Sequence, residues 1–488
     1  MNPALRRTGV IALILLGALL VQVTWVQFIH HDRYDEFDDA RTLFAEYEVP
    51  RGSILAGDTV IAQSLPSEDD DSAYAYYRDY PEGDYFGNIT GFKSPHRGSS
   101  AMEAAQNEVL NGSSSLFFLD ELGSSITGED RVGGNVVLTI DPELQKAAYD
   151  AIAETGVPEG GAVVLDPRTG QILAEASYPG WNPTEVSSNN YETSTEAWEA
   201  VINAPGNPGS DRTRSDWYPP GSTFKTIVAS AFLEQGHDAD TMVPAGNSYT
   251  APDTDHTITN AGDQCPAEEM TLREAYALSC NTTFARLCVE ELSEEDILDT
   301  AAAYGFEEAF TTPLETIAST TGDISEEAFR AQACIGQQEV RETIVQNAMI
   351  AAAIANGGEV MAPQMIAEIT DSEGTTLKRG EEDSLGEAVS SSTAEEMRKL
   401  MEAVVQEGTG ESAQIDGITV GGKTGTAEHS AGAHGDEANH GWFHGWAMNE
   451  DGEPAVAVAV YLGAYGPDGS HKAAEIAGDL MEQVLSGD

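Results

Sequence analysis

The chain has 488 residues, 41% of them hydrophobic, which is enough for two or three domains with a large core and excludes disorder of the whole. Asp and Glu number 82 against 24 Lys and Arg, giving a formal net charge of -58. This charge excludes an electrostatic nucleic-acid binder, because phosphate-binding surfaces are basic. The dispersed acidity favours a protein that stays hydrated in concentrated salt, with an ordinary acidic secreted protein as the alternative.

The N-terminal residues depart from this acidic pattern. Residues 8–29 are uncharged and mostly apolar, and a helix of that length at about 1.5 Å per residue can cross a bilayer core. Arg6 and Arg7 precede the stretch, so residues 1–7 are expected in the cytoplasm and the rest of the chain outside. A cleaved signal peptide ranks second, because no small-x-small cleavage site follows and Trp25 and Phe28 resemble an interfacial anchor.

The exported residues divide by pattern into two parts. Residues 30–156 are mixed, with an acidic loop at 68–71, and predict a small, irregular, non-catalytic module that ends with a strand at 136–140 and a helix at 143–153. From residue 157 the pattern predicts a hairpin of strands at 161–165 and 171–174, helices at 345–355 and 471–485, and a strand at 455–462. Strands at both ends with helices between them predict an α+β fold.

The first candidate catalytic motif is a Ser-x-x-Lys sequence at residues 222–225. The Pro-Pro-Gly before it predicts a helix that starts at Ser222 and ends at Gly236. Residues three apart share a helical face, so the Lys225 amine can approach the Ser222 hydroxyl and, when neutral, take its proton. A serine at a helix start is ordinarily an N-cap. The nucleophile is favoured because, of the seven lysines, only Lys225 has a serine three residues before it.

The second motif is Ser279-x-Asn281, which follows a helical pattern from residue 272. Its ordinary interpretation is a polar cap between two helices. Its functional interpretation is that Ser279 relays a proton to a leaving amine and Asn281 orients a substrate amide. The sequence of this motif alone does not separate the two.

The four cysteines all lie in the exported part, where oxidation is permitted. Cys265 lies in a polar loop just before the helix that leads to Cys280, and a disulfide between these two would steady the segment with Ser279. Cys288 and Cys334 lie in helix-like apolar patterns and are expected to be buried thiols.

The third motif is Lys-Thr-Gly at residues 423–425, after a strand-like run at 418–420. It could simply end a strand with a turn. Alternatively, a strand of small residues lets a substrate backbone lie alongside it, with Lys423 supplying positive charge and the hydroxyls of Thr424 and Thr426 binding a carboxylate.

Four histidines follow this motif: His429, His434, His440 and His444. Their spacing matches no standard zinc pattern and no cysteine lies among them. We therefore expect that these histidines lie in a mobile loop that lines the substrate-binding cleft, and that they form no metal site.

Ser-x-x-Lys, Ser-x-Asn and Lys-Thr-Gly in this order form the signature of active-site-serine penicillin-binding proteins and serine β-lactamases. Together with Pro-Arg-Gly-Ser-Ile at 50–54 and Gly-Asn-Val-Val-Leu-Thr-Ile at 134–140, they make the chain resemble class B penicillin-binding proteins, most of all the penicillin-binding protein A type of actinobacteria. The resemblance implies a single-pass membrane protein with a pedestal module and a transpeptidase domain at 157–488, whose antiparallel sheet is flanked by helices as in serine β-lactamases.

The resemblance also implies a mechanism. Ser222, deprotonated by Lys225, attacks the penultimate D-Ala carbonyl of a peptidoglycan stem peptide, and the backbone N–H groups of Ser222 and Thr426 hold the oxyanion. Thr424, Gly425 and Thr426 bind the substrate. A neighbouring stem's amine then takes the acyl group, and β-lactams are trapped on Ser222. Cell-wall synthesis or division proteins are the implied partners, and no cofactor is implied.

Two departures and two alternatives accompany this resemblance. Gly-Gln-Gln stands at 336–338 where many relatives have Gly-Gln-Gly, and Cys280 fills the middle of Ser-x-Asn. A β-lactamase or carboxypeptidase would share the motifs but transfer the acyl group to water, and the lack of a clear second carboxylate motif counts against it. A non-catalytic receptor or division scaffold would keep the fold, and the three intact motifs count against it. The span between the anchor and the transpeptidase domain shows no second set of catalytic residues, so we expect no glycan polymerase activity.

Overall fold

The computed structural model describes residues 46–67, 73–117, 132–427 and 439–487. The predicted cytoplasmic tail, the membrane stretch at 8–29 and the acidic loop at 68–71 lie outside these ranges. Among the helices within them, none has both the length and the hydropathy that a membrane span requires.

The described residues form two sheets, several two-stranded ribbons and helices around them. The strands are β1 (Ile54–Ala56), β2 (Thr59–Pro66), β3 (Tyr76–Asp79), β4 (Lys93–Ser94), β5 (Gly98–Ser99), β6 (Asn135–Leu138), β7 (Gly160–Leu165), β8 (Ile172–Tyr178), β9 (Met242–Pro244), β10 (Ser248–Thr250), β11 (Thr257–Thr259), β12 (Glu269–Thr271), β13 (Glu359–Met361), β14 (Ile366–Thr370), β15 (Thr376–Arg379), β16 (Ser384–Glu387), β17 (Val420–Ala427), β18 (His440–Met448) and β19 (Pro454–Leu462). The α-helices are α1 (Gly83–Thr90), α2 (Ala101–Ala105), α3 (Asn107–Leu110), α4 (Pro142–Glu154), α5 (Tyr191–Asn203), α6 (Lys225–Glu234), α7 (Leu272–Ala277), α8 (Asn281–Arg286), α9 (Glu294–Ala303), α10 (Glu327–Ala333), α11 (Ile344–Ala355), α12 (Ser391–Glu407) and α13 (Gly469–Ser486).

A five-stranded antiparallel sheet, in the order β17-β18-β19-β7-β8, is the centre of the C-terminal part. Both of its faces are covered, since α4 and α13 pack on one side and α11 on the other. Strand β19 shows the alternation that this requires: Val456 and Val458 belong to the core cluster under α4 and α13, and Ala457 and Ala459 to the cluster with α11. The sheet between helices agrees with the α+β prediction.

A second, six-stranded sheet has the order β15-β14-β6-β1-β2-β3. Strands β1 and β6 run parallel and the other neighbours are antiparallel. Its first two strands, β14 and β15, come from residues 366–379, far along the predicted transpeptidase domain. The sheet of the N-terminal module is therefore completed by strands that come more than 200 residues later in the chain.

A buried ion cluster braces the N-terminal module. The Glu103 carboxylate accepts from Arg51 Nε at 2.7 Å and from Arg78 Nε at 2.6 Å, and Glu103 is fully buried. Burial by itself raises the pKa of Glu103, but the two guanidinium groups outweigh it and hold the pKa below its usual range. The cluster ties the segment before β1 to strand β3 and helix α2.

The four cysteines form two disulfides. Cys265 is joined to Cys280, with a Cα–Cα distance of 6.1 Å, as the sequence led us to expect. The expectation that Cys288 and Cys334 are thiols is wrong, because they form the second disulfide across 46 residues. Both are fully buried, which local patterns did show, but α10 brings Cys334 against the segment that follows α8, and that packing is a tertiary contact.

Candidate active site

Ser222 lies on a tight turn that leads into α6. The turn is a 3-10 helix, Gly221–Phe224, which continues directly as α6, so the predicted helix is present with a tighter first turn. Gly221 has φ 57° and donates its N–H to the Gly336 carbonyl at 3.0 Å. A Cβ atom on Gly221 would lie 2.4 Å from the Thr426 carbonyl oxygen. The Ser222 turn is therefore clamped between the Gly336 turn and strand β17.

Lys225 occupies the first position of α6 and is fully buried. Its Nζ donates to the Ser279 carbonyl at 2.8 Å, to Asn281 Oδ1 at 2.7 Å and to Ser279 Oγ at 3.2 Å. Within the described residues, no hydrogen bond joins Lys225 to the Ser222 hydroxyl. The first motif is thus tied to the second by three contacts across the cleft.

The Ser-x-Asn motif lies at the turn between α7 and α8. Ser279 has φ 59°, the left-handed region that non-glycine residues seldom adopt, and this places its carbonyl and hydroxyl on the same lysine. Asn281 accepts from Lys225 and donates Nδ2 to the Thr259 carbonyl at 2.9 Å. Cys280, the residue between Ser279 and Asn281, is held by its disulfide with Cys265.

Lys423 completes the constellation from strand β17. Its Nζ donates to Ser279 Oγ at 2.9 Å and to the Thr424 carbonyl at 3.0 Å. Ser279 Oγ therefore lies between the amines of Lys225 and Lys423. The Thr424 hydroxyl contacts the Thr409 hydroxyl, while Thr426 is exposed to the cleft.

Both lysines are buried against aromatic rings, and neither has a carboxylate partner among the described residues. Lys225 Nζ lies 5.6 Å from the Phe284 ring centroid, and Lys423 Nζ lies 5.5 Å from that of Tyr276. Burial, and then the charge of Lys423, lowers the pKa of Lys225 well below its usual range. Burial lowers the pKa of Lys423 to about 7. The site therefore favours a neutral amine beside the nucleophile.

His444 is a residue whose place the sequence did not reveal. It is fully buried in β18, directly opposite Lys423 in the strand register, and shares a hydrogen-bonded chain with Thr226 and Tyr276. Burial, and then the charge of Lys423, lowers the pKa of His444 to about 3, so this imidazole is neutral. The prediction of a cleft-lining loop is wrong for His440 and His444, since both lie in β18; His429 and His434 lie outside the described residues.

The motifs open into one cleft of about 690 Å³. Ser222, Ser279, Asn281, Thr424 and Thr426 line it together, which brings the predicted motif residues to one place. Its described lining contains no Asp or Glu, although the chain carries 82 of them. A cleft that borders the Lys423 amine and lacks described carboxylates is suited to an anionic substrate.

Family profiles match both parts of the chain. The penicillin binding protein transpeptidase domain matches residues 160–482, and the penicillin binding protein A dimerisation domain matches residues 51–136. The chain belongs to the penicillin-binding proteins. A protein named peptidoglycan D,D-transpeptidase PbpA from Mycolicibacterium smegmatis is 35% identical over 94% of each chain, and the Mycobacterium tuberculosis protein of the same name is 34% identical over the full length of both.

Solved structures agree with this membership. The crystal structure of M. tuberculosis PBPA aligns with a TM-score of 0.84 at 32% identity, covering 90% of this chain and 100% of that one. The penicillin G acyl-enzyme complex of penicillin-binding protein A from the same organism aligns with a TM-score of 0.82 at 32% identity, covering 90% of this chain and 99% of that one.

Proposed function

We propose that this protein is a peptidoglycan D,D-transpeptidase that forms peptide cross-links through an acyl-enzyme on Ser222. The observation that carries the proposal is the chain of contacts Lys225–Ser279–Lys423, in which Ser279 lines the same cleft as Ser222 and the two lysines are buried behind it. The D,D-transpeptidase names of the full-length relatives and the β-lactam acyl-enzyme complexes of a structural neighbour support it.

Lys225 is the general base of acylation. A neutral amine has two N–H groups, and the carbonyl oxygens of Ser279 and Asn281, at 2.8 and 2.7 Å, take both. The lone pair then remains available for the Ser222 proton as Ser222 Oγ attacks the penultimate D-Ala carbonyl. Burial without a countercharge keeps the amine neutral, which a base at this position requires.

The leaving D-Ala amine needs a proton, and Ser279 supplies it. Ser279 Oγ contacts both lysines, so a proton can pass from protonated Lys225 through this hydroxyl to the amine. The oxyanion is held by the backbone N–H groups of Ser222 and Thr426, and the close approach of Gly221 to Thr426 supports their proximity.

Strand β17 binds the substrate through Thr424, Gly425 and Thr426, and Lys423 attracts the terminal carboxylate. Gly425 lets this strand pack closely against the turn that precedes Ser222, because a Cβ atom at residue 425 would lie 2.7 Å from the Pro220 carbonyl oxygen. The absence of carboxylates from the described lining of the cleft supports the same role.

We also propose that the N-terminal residues anchor this enzyme in the membrane. Residues 1–7 are a cytoplasmic tail, 8–29 a single membrane span, 30–156 a pedestal module and 157–488 the transpeptidase domain. The apolar stretch in the sequence supports the anchor, and the match to a penicillin binding protein A dimerisation domain supports a protein-contact role for the pedestal. Its partners are other cell-wall synthesis or division proteins.

Labelling with a fluorescent penicillin tests the acyl-enzyme. The purified chain should acquire one covalent label, and Ser222→Ala should acquire none, while Ser392→Ala, an exposed serine at the start of α12, should label like the parent. A folded Ser222→Ala protein that still labels would overturn the assignment.

Release of the label separates transfer to an amine from hydrolysis. A transpeptidase should release the penicilloyl group slowly, whereas a β-lactamase on the same fold should hydrolyse it and turn over repeatedly. With a D-Ala-D-Ala stem peptide, added amine acceptor should increase the yield of cross-linked product at the expense of the hydrolysed peptide. Hydrolysis that ignores the acceptor would instead establish a carboxypeptidase.

A further inference from the structure

We propose that His444 is a positioning residue of the active site, which acts through Thr226 to hold the Tyr276 ring beside the Lys423 amine, and that this ring keeps the amine positively charged for the substrate carboxylate. The three side chains form one unit, the His-Thr-Tyr chain, and none of them lines the cleft. The proposal rests on the proposed function, because it concerns the amine to which that function assigns the carboxylate.

The His-Thr-Tyr chain joins three elements behind Lys423. His444 lies in β18 opposite Lys423 in β17, so the two side chains point to the same face of the sheet. Thr226 directly follows Lys225 in α6, and its Oγ1 lies 3.0 Å from His444 Nε2 and 2.8 Å from the Tyr276 hydroxyl. Tyr276 belongs to α7, and its ring centroid lies 5.5 Å from Lys423 Nζ. All five side chains are fully buried.

One arrangement of protons satisfies the Tyr276 hydroxyl. Its only hydrogen-bond partner among the described residues is Thr226, so it donates to Thr226 Oγ1. Thr226 has a single proton, which it then donates to His444 Nε2. The imidazole proton is therefore on Nδ1, where only the backbone of Asn347 lies near, in a geometry too poor for an ordinary hydrogen bond. A neutral histidine is thus the acceptor that orients both hydroxyl groups.

The Tyr276 ring opposes the effect of burial on Lys423. Burial lowers the pKa of Lys423 to about 7. The face of an aromatic ring is negative and stabilises a nearby ammonium group, most strongly where water is excluded. The hydroxyl at the end of the ring fixes its orientation through the His-Thr-Tyr chain. Breaking the chain should therefore lower the pKa of Lys423 further, so that the amine becomes neutral at a lower pH.

The titratable groups of the described residues around Lys423 offer it no countercharge. Lys225 approaches from α6 and shares a hydroxyl contact with it, and a second positive charge can only disfavour the first. His444 is neutral, because burial and then the charge of Lys423 lower its pKa to about 3. Helix α12 also packs on β17, and its buried residues include no charged side chain. Beyond the two hydrogen-bond acceptors of the amine, the Tyr276 ring is the contact that favours its charge.

The experiment measures the rate of penicillin acylation by the full chain as a function of pH. The rate should fall as pH rises through the pKa of Lys423, and the midpoint of this fall is the readout. In Tyr276→Leu, which removes the ring, the midpoint should move to lower pH by about one unit, the size expected for a buried cation–π contact. His444→Leu and Thr226→Val break the chain and leave the ring, so they should move the midpoint the same way by about half a unit.

Two controls separate positioning from a loss of stability. In His444→Gln the side-chain oxygen can accept from Thr226 as Nε2 does, so the midpoint should return toward that of the parent. Tyr304→Phe is the matched control, because Tyr304 is another fully buried tyrosine and its hydroxyl lies 3.0 Å from Ser230 Oγ in the same helix α6. This variant also loses a buried hydrogen bond, but the midpoint should not move.

NMR titration of ¹³C-labelled lysine provides a second readout that does not depend on activity. The chain has seven lysines, and Lys423→Arg identifies the signal of Lys423. An unchanged titration of Lys423 in His444→Leu would overturn the proposal, as would a His444→Gln variant that behaves like His444→Leu. A shifted titration with an unchanged acylation profile, or in a chain that takes up no penicillin, would support the positioning role and refute the function proposed for Lys423.

Discussion

The N-terminal module and the catalytic cleft both hold charged side chains away from water, but they surround them with different partners. Glu103 is matched by two guanidinium groups within 2.7 Å, and its pKa is held down. Lys225 and Lys423 are buried against aromatic rings without a carboxylate partner among the described residues, and their pKa values are lowered. A compensated buried charge braces a fold, whereas an uncompensated one is free to exchange a proton.

The largest expected effect comes from removing the exchangeable proton. Lys225→Arg keeps the positive charge, but a guanidinium does not deprotonate at working pH, so the rate of penicillin acylation should fall by about 10³-fold. Lys423→Arg should be milder, since Lys423 acts through its charge. Stopped-flow or gel measurement of acylation checks both, and the reverse order of severity would break the comparison.

The next largest effect is on stability. Glu103→Gln leaves two buried guanidinium groups without a countercharge and should lower the free energy of unfolding by about 3–5 kcal/mol. Urea unfolding measures this. Glu143→Gln is the control, because its pair with Lys146 is 3.5 Å long and largely exposed and should matter by less than about 0.5 kcal/mol. Equal losses in the two variants would contradict a bracing role.

The pH profile of acylation should have a descending limb near pH 7. Lys423, whose pKa is about 7, loses there the charge that attracts the carboxylate. The pKa of Lys225 is lowered well below its usual range by burial and the charge of Lys423, so this amine is a neutral base at a lower pH than an exposed lysine would be. In Lys423→Arg this descending limb should disappear, since guanidinium stays charged. A descending limb that stays at the same pH in that variant would assign it to another group.

The smallest effect for each charged group is the change in stability with salt, which is spread over many surface carboxylates. We hypothesise that the chain comes from a halophilic or halotolerant bacterium, because a net charge of -58 repels itself in dilute buffer, where screening extends about 30 Å at 0.01 M but roughly 3 Å at 1 M. The melting temperature should rise from dilute buffer to molar KCl, and sucrose is the non-ionic control. A melting temperature that is flat in salt would contradict the hypothesis. The loss caused by Glu103→Gln should not change with salt, since a buried pair is little screened.

Local patterns predicted the elements that local chemistry determines. The alanine-rich run at 345–355 is α11 (Ile344–Ala355), because alanine favours a helix. The valine-rich run at 455–462 is β19 (Pro454–Leu462), because β-branched residues favour a strand. The three motifs line one cleft, and the sequence indicated this only through the resemblance to penicillin-binding proteins, because no local pattern brings residues so far apart in the chain together.

Contacts between distant residues could not be predicted in this way. The Cys288–Cys334 disulfide joins two segments whose local patterns both indicate buried apolar helices, so nothing in either pattern marks a partner. The place of His444 opposite Lys423 depends on the register of β17 and β18, which a single sequence does not reveal. The left-handed backbone of Ser279 likewise depends on the packing of α7 and α8.

The six-stranded sheet has a consequence for genetic dissection of this protein. Strand β14 pairs with β6 on one side and β15 on the other, so a gene fragment that begins at residue 157 would delete the neighbour of β14. The fragment would then expose a new strand edge and the apolar residues beneath it, a known route to aggregation. A soluble catalytic fragment should therefore begin before β1, and one that begins between β6 and β7 should precipitate when expressed.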